Sequence, residues 1–173
     1  MSLDLRLKTE VCACISITLQ TDQSDDRLSL TVDTEDSGFL PFGSSQLQMD
    51  LTLTVPEELH LTAEGTNGDV DIETSGAESV TVDTTNGDIT LLASEPVGIQ
   101  TDTTNGDVSI TLPATSEPAI SVDTTNGDTT INGFQADSTE SGSAVDRMVG
   151  NGTHRVTATS MNGDITIRRG EVN

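Results

Sequence analysis

Carboxylates are the side chains this sequence offers for chemistry, with 29 Asp and Glu against 7 Lys and Arg. Nine of them recur in two columns. Asp69, Asp88, Asp107, Asp128 and Asp164 each follow an Asn-Gly pair, while Glu64, Asp83, Asp102 and Asp123 each stand three residues before the Asn. Rows of carboxylate oxygens could hold calcium, and paired carboxylates can cleave glycosidic bonds. Calcium-binding rolls, however, use a glycine-rich period of roughly nine residues that is absent here, and one carboxylate per repeat is too few for a calcium cage. A polysaccharide-cleaving groove calls for aromatics to hold sugar rings and for residues that break the repeat. This chain has three Phe, no Trp and no Tyr, and its columns are monotonous. The carboxylate rows are therefore expected to be solvated ladders balanced by potassium, with no catalytic residue, no metal and no cofactor.

The thiols and imidazoles add little. Cys12 and Cys14 lie two apart, so on a strand they share a face with side chains nearly 7 Å apart, too far to bridge easily. His60 and His154 are the only histidines, too few to complete a zinc site at workable spacing. Reduced bystander thiols are the expectation. No nucleophile-and-base set and no phosphate-cradling glycine loop is present.

The elements that carry the carboxylates repeat. Asn67-Gly68, Asn86-Gly87, Asn105-Gly106, Asn126-Gly127 and Asn162-Gly163 are spaced so that the last gap is close to two periods. Apolar side chains keep fixed places around each pair. Leu61, Val80, Ile99, Ile120 and Val156 stand six before the Asn, and Ala63, Val82, Thr101, Val122 and Ala158 stand four before. Small residues stand two before: Gly65, Thr84, Thr103, Thr124 and Ser160. After the turn come Val70, Ile89, Val108, Thr129 and Ile165, then Ile72, Leu91, Ile110, Ile131 and Ile167. This alternation predicts two short strands per repeat, each hiding one face, joined at a corner where Gly supplies an unusual φ and the Asn column stacks its side-chain amides.

Asn-Gly between alternating strands is also a hairpin signal, which would give an antiparallel β-sandwich. A near-constant period favours a parallel β-solenoid with coils of about 19 residues, because each coil must lie on the one before. Stacking Asp on Asp counts against it, since like charges side by side in a sheet repel.

The run from Val55-Pro56-Glu57-Glu58-Leu59 through Asn67-Gly68-Asp69-Val70 to Asn162-Gly163-Asp164-Ile165-Thr166-Ile167 resembles the putative-adhesin β-strand-repeat family of bacteria and archaea. The resemblance covers roughly residues 47 to 169 and implies a parallel β-solenoid, with a right-handed winding preferred. In architecture and size the chain is also similar to the bactofilins, cytoskeletal polymers of stacked solenoids, although no bactofilin-specific motif is present.

Every charged residue from Leu28 to Asp146 is acidic, and the formal net charge is −22. A phosphate backbone needs a basic patch, so nucleic acid is excluded as a partner. Abundant Asp, Glu and Thr with scarce Lys resembles the proteins of salt-loving archaea, where a Debye length of about 3 Å at 1 M salt makes acidic ladders tolerable. The first residues alternate as a strand without an apolar signal region, and no apolar run approaches twenty residues. A cytoplasmic protein is expected, membrane-associated only through partners.

Residues 1–46 are expected to form irregular first coils or a cap, with a loop at 37–46 that tucks Phe39 and Phe42 away. The solenoid is expected over 47–169, interrupted at 134–152 by a loop or a degenerate coil. Two functions remain. One is a non-catalytic scaffold that self-associates end to end, in its sharpest form a bactofilin-like polymer acting in cell shape, through the edge residues Leu3, Leu5, Leu7, Ile165 and Ile167. The other is an adhesin-like binding module for an envelope polymer or for a membrane or envelope protein.

Overall fold

The computed structural model describes residues 5–6, 15–22, 27–34, 52–53, 60–134, 138–141, 145–148 and 152–170, with side chains described within 60–134 and 152–170. Leu3, Leu7, the two cysteines and the loop at 37–46 lie outside the described residues. In chain order the strands are β1 (Leu5–Arg6), β2 (Ile15–Asp22), β3 (Arg27–Thr34) and β4 (Thr52–Leu53), then the paired strands of the repeats. These are β5 (His60–Asn67) with β6 (Val70–Thr74), β7 (Ser79–Asn86) with β8 (Ile89–Ala93), β9 (Gly98–Asn105) with β10 (Val108–Leu112), and β11 (Pro118–Asn126) with β12 (Asp128–Asn132). After β13 (Ser138–Ser141) and β14 (Val145–Met148) comes a fifth repeat, β15 (His154–Asn162) with β16 (Ile165–Arg169).

The first strand of every repeat joins an eight-stranded sheet and the second a six-stranded sheet. Repeat pairs with repeat in parallel, Val80 against Leu61 and Ile99, Leu91 against Ile72 and Ile110. The antiparallel sandwich is thereby set aside for the repeats. Antiparallel pairing occurs around them: β2 with β3, β1 with β4, β14 with β11 and β13 with β12. Leu5 is paired with Leu53 in the short β1–β4 ladder. The segment 134–152, expected as a loop or degenerate coil, contains β13 and β14, which run back along the fourth repeat.

The apolar columns of the two sheets meet between them and form one core, from Leu61 and Ile72 through Leu91, Ile99 and Ile110 to Ile120 and Ile131. Phe134 is the one aromatic among the described core residues; elsewhere two thin sheets bring aliphatic side chains into register from both sides. Thr101 is the misfit. It is fully buried between the positions of Val82 and Ala158, and its Oγ1 has no hydrogen-bond partner among the described residues. A buried hydroxyl without a partner costs about 1–3 kcal/mol. Thr101→Val keeps the shape and removes the cost, so its urea midpoint should rise by the equivalent of about 1–2 kcal/mol; an unchanged or lowered midpoint would show that the hydroxyl is satisfied in solution.

The order of the repeats in space is not their order in sequence. Across the eight-stranded sheet the strands run β5, β7, β9, β15, β11, so the fifth repeat lies between the third and the fourth. Ile165 pairs with Val108 on one side and Thr129 on the other, and Ile167 with Ile110 and Ile131. Both isoleucines are completely buried. The expectation that they form a free self-association edge is corrected: the chain passes beyond the fourth repeat, returns, and inserts its last coil into the stack. Arg169 fixes the insertion from both sides, donating from Nη2 to the carbonyl of Ser116 at 2.6 Å and lying over the Phe134 ring at 5.0 Å. Arg168 Nε donates to Thr111 Oγ1, and the Gly170 amide donates to the Leu112 carbonyl.

Candidate functional site

Two ordered surfaces follow from this stacking. The first is the corner that joins the two sheets, where Asn, Gly and Asp of successive repeats lie directly over one another. Each Asn amide donates to the side-chain oxygen of the next: Asn86 to Asn67 at 3.0 Å, Asn105 to Asn86 at 2.8 Å, Asn162 to Asn105 at 2.8 Å and Asn126 to Asn162 at 2.9 Å. The expected amide stack therefore exists, but on the exposed rim and not inside the corner. The same Nδ2 atoms also reach the carbonyls of Thr66, Thr85, Thr104 and Met161.

The glycines are required by proximity. Gly87, Gly106 and Gly163 have φ of 150°, 154° and 154°, and a Cβ on any of them would overlap the carbonyl oxygen of the glycine in the neighbouring coil. That close approach lets the Gly68, Gly87, Gly106 and Gly163 amides donate to the Asn carbonyls of the adjoining coil at 2.9–3.0 Å. The hydroxyl column two residues before the Asn completes the corner. Thr124 Oγ1 donates to the Gly163 carbonyl and Ser160 Oγ to the Gly106 carbonyl. Sequence reasoning registered these residues only as small; their alternation with the apolar columns was the available signal.

The Asp column has a structural task that the sequence reading missed. Asp69 Oδ1 accepts the backbone N–H of Asp88, Asp88 that of Asp107, Asp107 that of Asp164, and Asp164 that of Asp128, at 2.8–3.0 Å. Asp69, Asp88, Asp107 and Asp164 thus each supply the acceptor for the Asp amide of the adjoining coil. A charge-assisted hydrogen bond is about twice as strong as a neutral one, which offsets part of the repulsion along the row. A short acceptor placed directly after Gly was the signal for this role.

The second surface is the outer face of the eight-stranded sheet. Glu64, Asp83, Asp102, Thr159 and Asp123 form one row across it, in that order. A polar row runs alongside: Thr62, Thr81, Gln100, Thr157 and Ser121. Gln100 Nε2 donates to Asp102 Oδ2 across the two rows. The outer face of the six-stranded sheet differs, with Asp71 and Glu73 on its first repeat strand and Thr90, Ser109, Thr166 and Thr130 across the others. His60 stands at the opposite corner, 2.6 Å from Ser79 Oγ and 3.7 Å from the Glu78 carboxylate. Among the described residues no group of three His, Cys, Asp or Glu is placed to hold a metal ion, and no helix is long and apolar enough to cross a membrane.

With the two sheets and the corner ladder established, the comparison with family models becomes decisive. The model of Toastrack DUF4097 matches residues 4–138 and again 60–168. The chain belongs to the Toastrack DUF4097 family. The two matches overlap over the regular repeats, as a family built on stacked units allows. Among solved structures, the chain is similar to one described as a putative cell adhesion protein from Clostridium sporogenes, with a TM-score of 0.60 and 14% identity over 91% of this chain and 77% of that one. At that identity the likeness establishes the fold alone. No curated protein matches the chain.

Proposed function

We propose that this Toastrack protein is a non-catalytic binding module of the adhesin-like kind, recognising an envelope polymer or protein partner through the outer face of its eight-stranded sheet. The observation that carries the reading is the repetition on that face, where carboxylates and hydroxyls recur from coil to coil at about 4.8 Å. A partner with repeating cationic or hydrogen-bonding groups engages several rows at once, so individually weak contacts combine. The solved neighbour is itself described as a putative cell adhesion protein, which supports the same reading. An end-to-end polymer of bactofilin type has less support. Two of the residues assigned to its docking edge, Ile165 and Ile167, have strands on both sides, and neither the family nor the neighbour points to a filament.

The test is an array of envelope polysaccharides and lysine-rich peptides probed with the wild type and with the triple variant Asp83→Asn, Asp102→Asn, Asp123→Asn, in the same potassium chloride solution. These carboxylates lie off the corner ladder, so the variant should melt no lower than the wild type. Its binding should fall by about tenfold or more, roughly 1.4 kcal/mol or more. Equal binding by both proteins, or no binding to any surface, would remove the reading. Sedimentation velocity over a range of concentrations checks the competing scaffold, which demands growth into elongated species.

A further inference from the structure

The five corner pairs are chemically alike, yet their places in the stack are unequal. An Asn-Gly bond carries its own reactivity. The glycine nitrogen, unhindered by a side chain, can attack the preceding Asn Cγ, and two features of the corner oppose that attack. One is the hydrogen bond that holds the glycine N–H. The other is the amide ladder, which holds the Asn side chain away from the attacking geometry.

Asn86, Asn105 and Asn162 are held on both sides, each donating to one neighbour and accepting from the other. The glycines that follow them, Gly87, Gly106 and Gly163, have their N–H groups bonded to the next coil. Asn67 has only the accepting contact within the ladder, but the Gly68 amide is bonded to the Asn86 carbonyl. Asn126 differs from all four. It lies in the outermost parallel coil, beyond which β13 and β14 run antiparallel. Its amide donates to Asn162, nothing among the described residues donates to its Oδ1, and the Gly127 N–H has no ladder acceptor among them. Asn126 is exposed and Gly127 half-buried.

We propose that Asn126 is a site of spontaneous deamidation, and that the stack protects the other four corners, Asn67 less than Asn86, Asn105 and Asn162. The Gly127 nitrogen gives its proton to water or hydroxide and bonds to Asn126 Cγ. The bond from Cγ to Nδ2 breaks as Nδ2 takes a proton from water, ammonia leaves, and a cyclic imide remains. Water then opens the imide at either carbonyl, leaving Asp or isoaspartate at position 126. Either product replaces the donor to Asn162 Oδ1 with a carboxylate oxygen. Isoaspartate also lengthens the backbone by one methylene ahead of Gly127, two residues before the Asp128 amide that is bonded to Asp164 Oδ1. Ageing of the corner therefore starts at its outer coil and works inward.

The experiment is incubation of the folded full chain at mildly alkaline pH in water enriched in oxygen-18, with fragment-ion mapping of label at each corner and enzymatic methylation to mark isoaspartate. Asn132-Gly133 and Asn151-Gly152 are not among the five corner pairs and are read separately. A parallel incubation in urea gives the rates without the stack. The expected result is conversion at Asn126 at least about tenfold ahead of Asn86, Asn105 and Asn162 in the folded protein, equivalent to about 1.4 kcal/mol of extra barrier at the protected corners. The five rates should converge in urea. Equal rates in the folded chain, earlier conversion at any inner corner, or a folded Asn126 as slow as the inner corners would overturn the proposal.

Discussion

Gly106→Ala should leave the protein barely folded at best. The Cβ it adds would overlap the Gly87 carbonyl oxygen and stand 2.6 Å from the carbonyl carbon, both of them backbone atoms with no rotamer to relieve the contact. Relief requires the coils to separate. That separation strains the Gly87 amide bond to the Asn105 carbonyl, the amide link from Asn105 to Asn86 and the Asp107 amide bond to Asp88. The cost should be about 4 kcal/mol or more, in the range reserved for severe core or backbone defects, against a total stability of about 5–15 kcal/mol for a domain of ordinary kind. Gly98→Ala is the control. In the same repeat, a Cβ there meets nothing closer than 3.8 Å. Thermal melts followed by circular dichroism should show a cooperative transition for Gly98→Ala and none, or one shifted far down, for Gly106→Ala. A Gly106→Ala protein that melts like the wild type would mean that the corners do not stack as closely as described.

Ile167→Asp should be nearly as damaging, and for a different reason. At a free edge, an added carboxylate would discourage association and leave the monomer folded. Ile167 is instead fully buried, with Ile110 and Ile131 as its partners in the adjacent strands. A carboxylate there has neither water nor a counter-ion, and one way to avoid the penalty is to eject the inserted coil. Ile167→Ala removes only methyl groups and should cost about 2–5 kcal/mol. The Asp variant should exceed it. Urea unfolding separates the alternatives: a folded, monomeric Ile167→Asp protein with a wild-type midpoint would contradict the insertion of the last repeat.

Most of the repeat unit was legible in the sequence because its causes are local. Period-two alternation assigns Val80 and Val82 to one face and Asp83 to the other without reference to any other coil. Asn-Gly marks a turn wherever it stands. The interior is equally local in origin: every residue of the apolar columns that the structure describes is buried, including Thr101 and Thr129, whose hydroxyls the pattern simply absorbed. The Asp bonds at the corner were less legible. An acidic row looks the same in sequence whether its members are free in solvent or each caps an amide of the next coil, and only the stacking distance distinguishes the two.

The sequence alone determined two short amphipathic strands per repeat joined at an Asn-Gly corner, since that follows from side-chain periodicity, and its near-constant period favoured a parallel stack over the antiparallel sandwich that the same Asn-Gly pairs also allow. It did not determine the order of the stack. All five repeats carry compatible columns, so a parallel ladder accepts any of them at any level, and the 36-residue gap from Asn126 to Asn162 fits a skipped coil as well as a returning chain. The fifth repeat does have its own character, with Thr159 in the carboxylate column and Arg155, Arg168 and Arg169 on its strands. Inserted between the third and fourth, it separates Asp102 from Asp123 by two strand spacings, about 10 Å, in place of one, and brings the only arginines among the described repeats into an acidic stack. Repulsion falls as charges move apart and opposite charges come between them. That gain depends on which strands become neighbours, so only the tertiary structure could decide it.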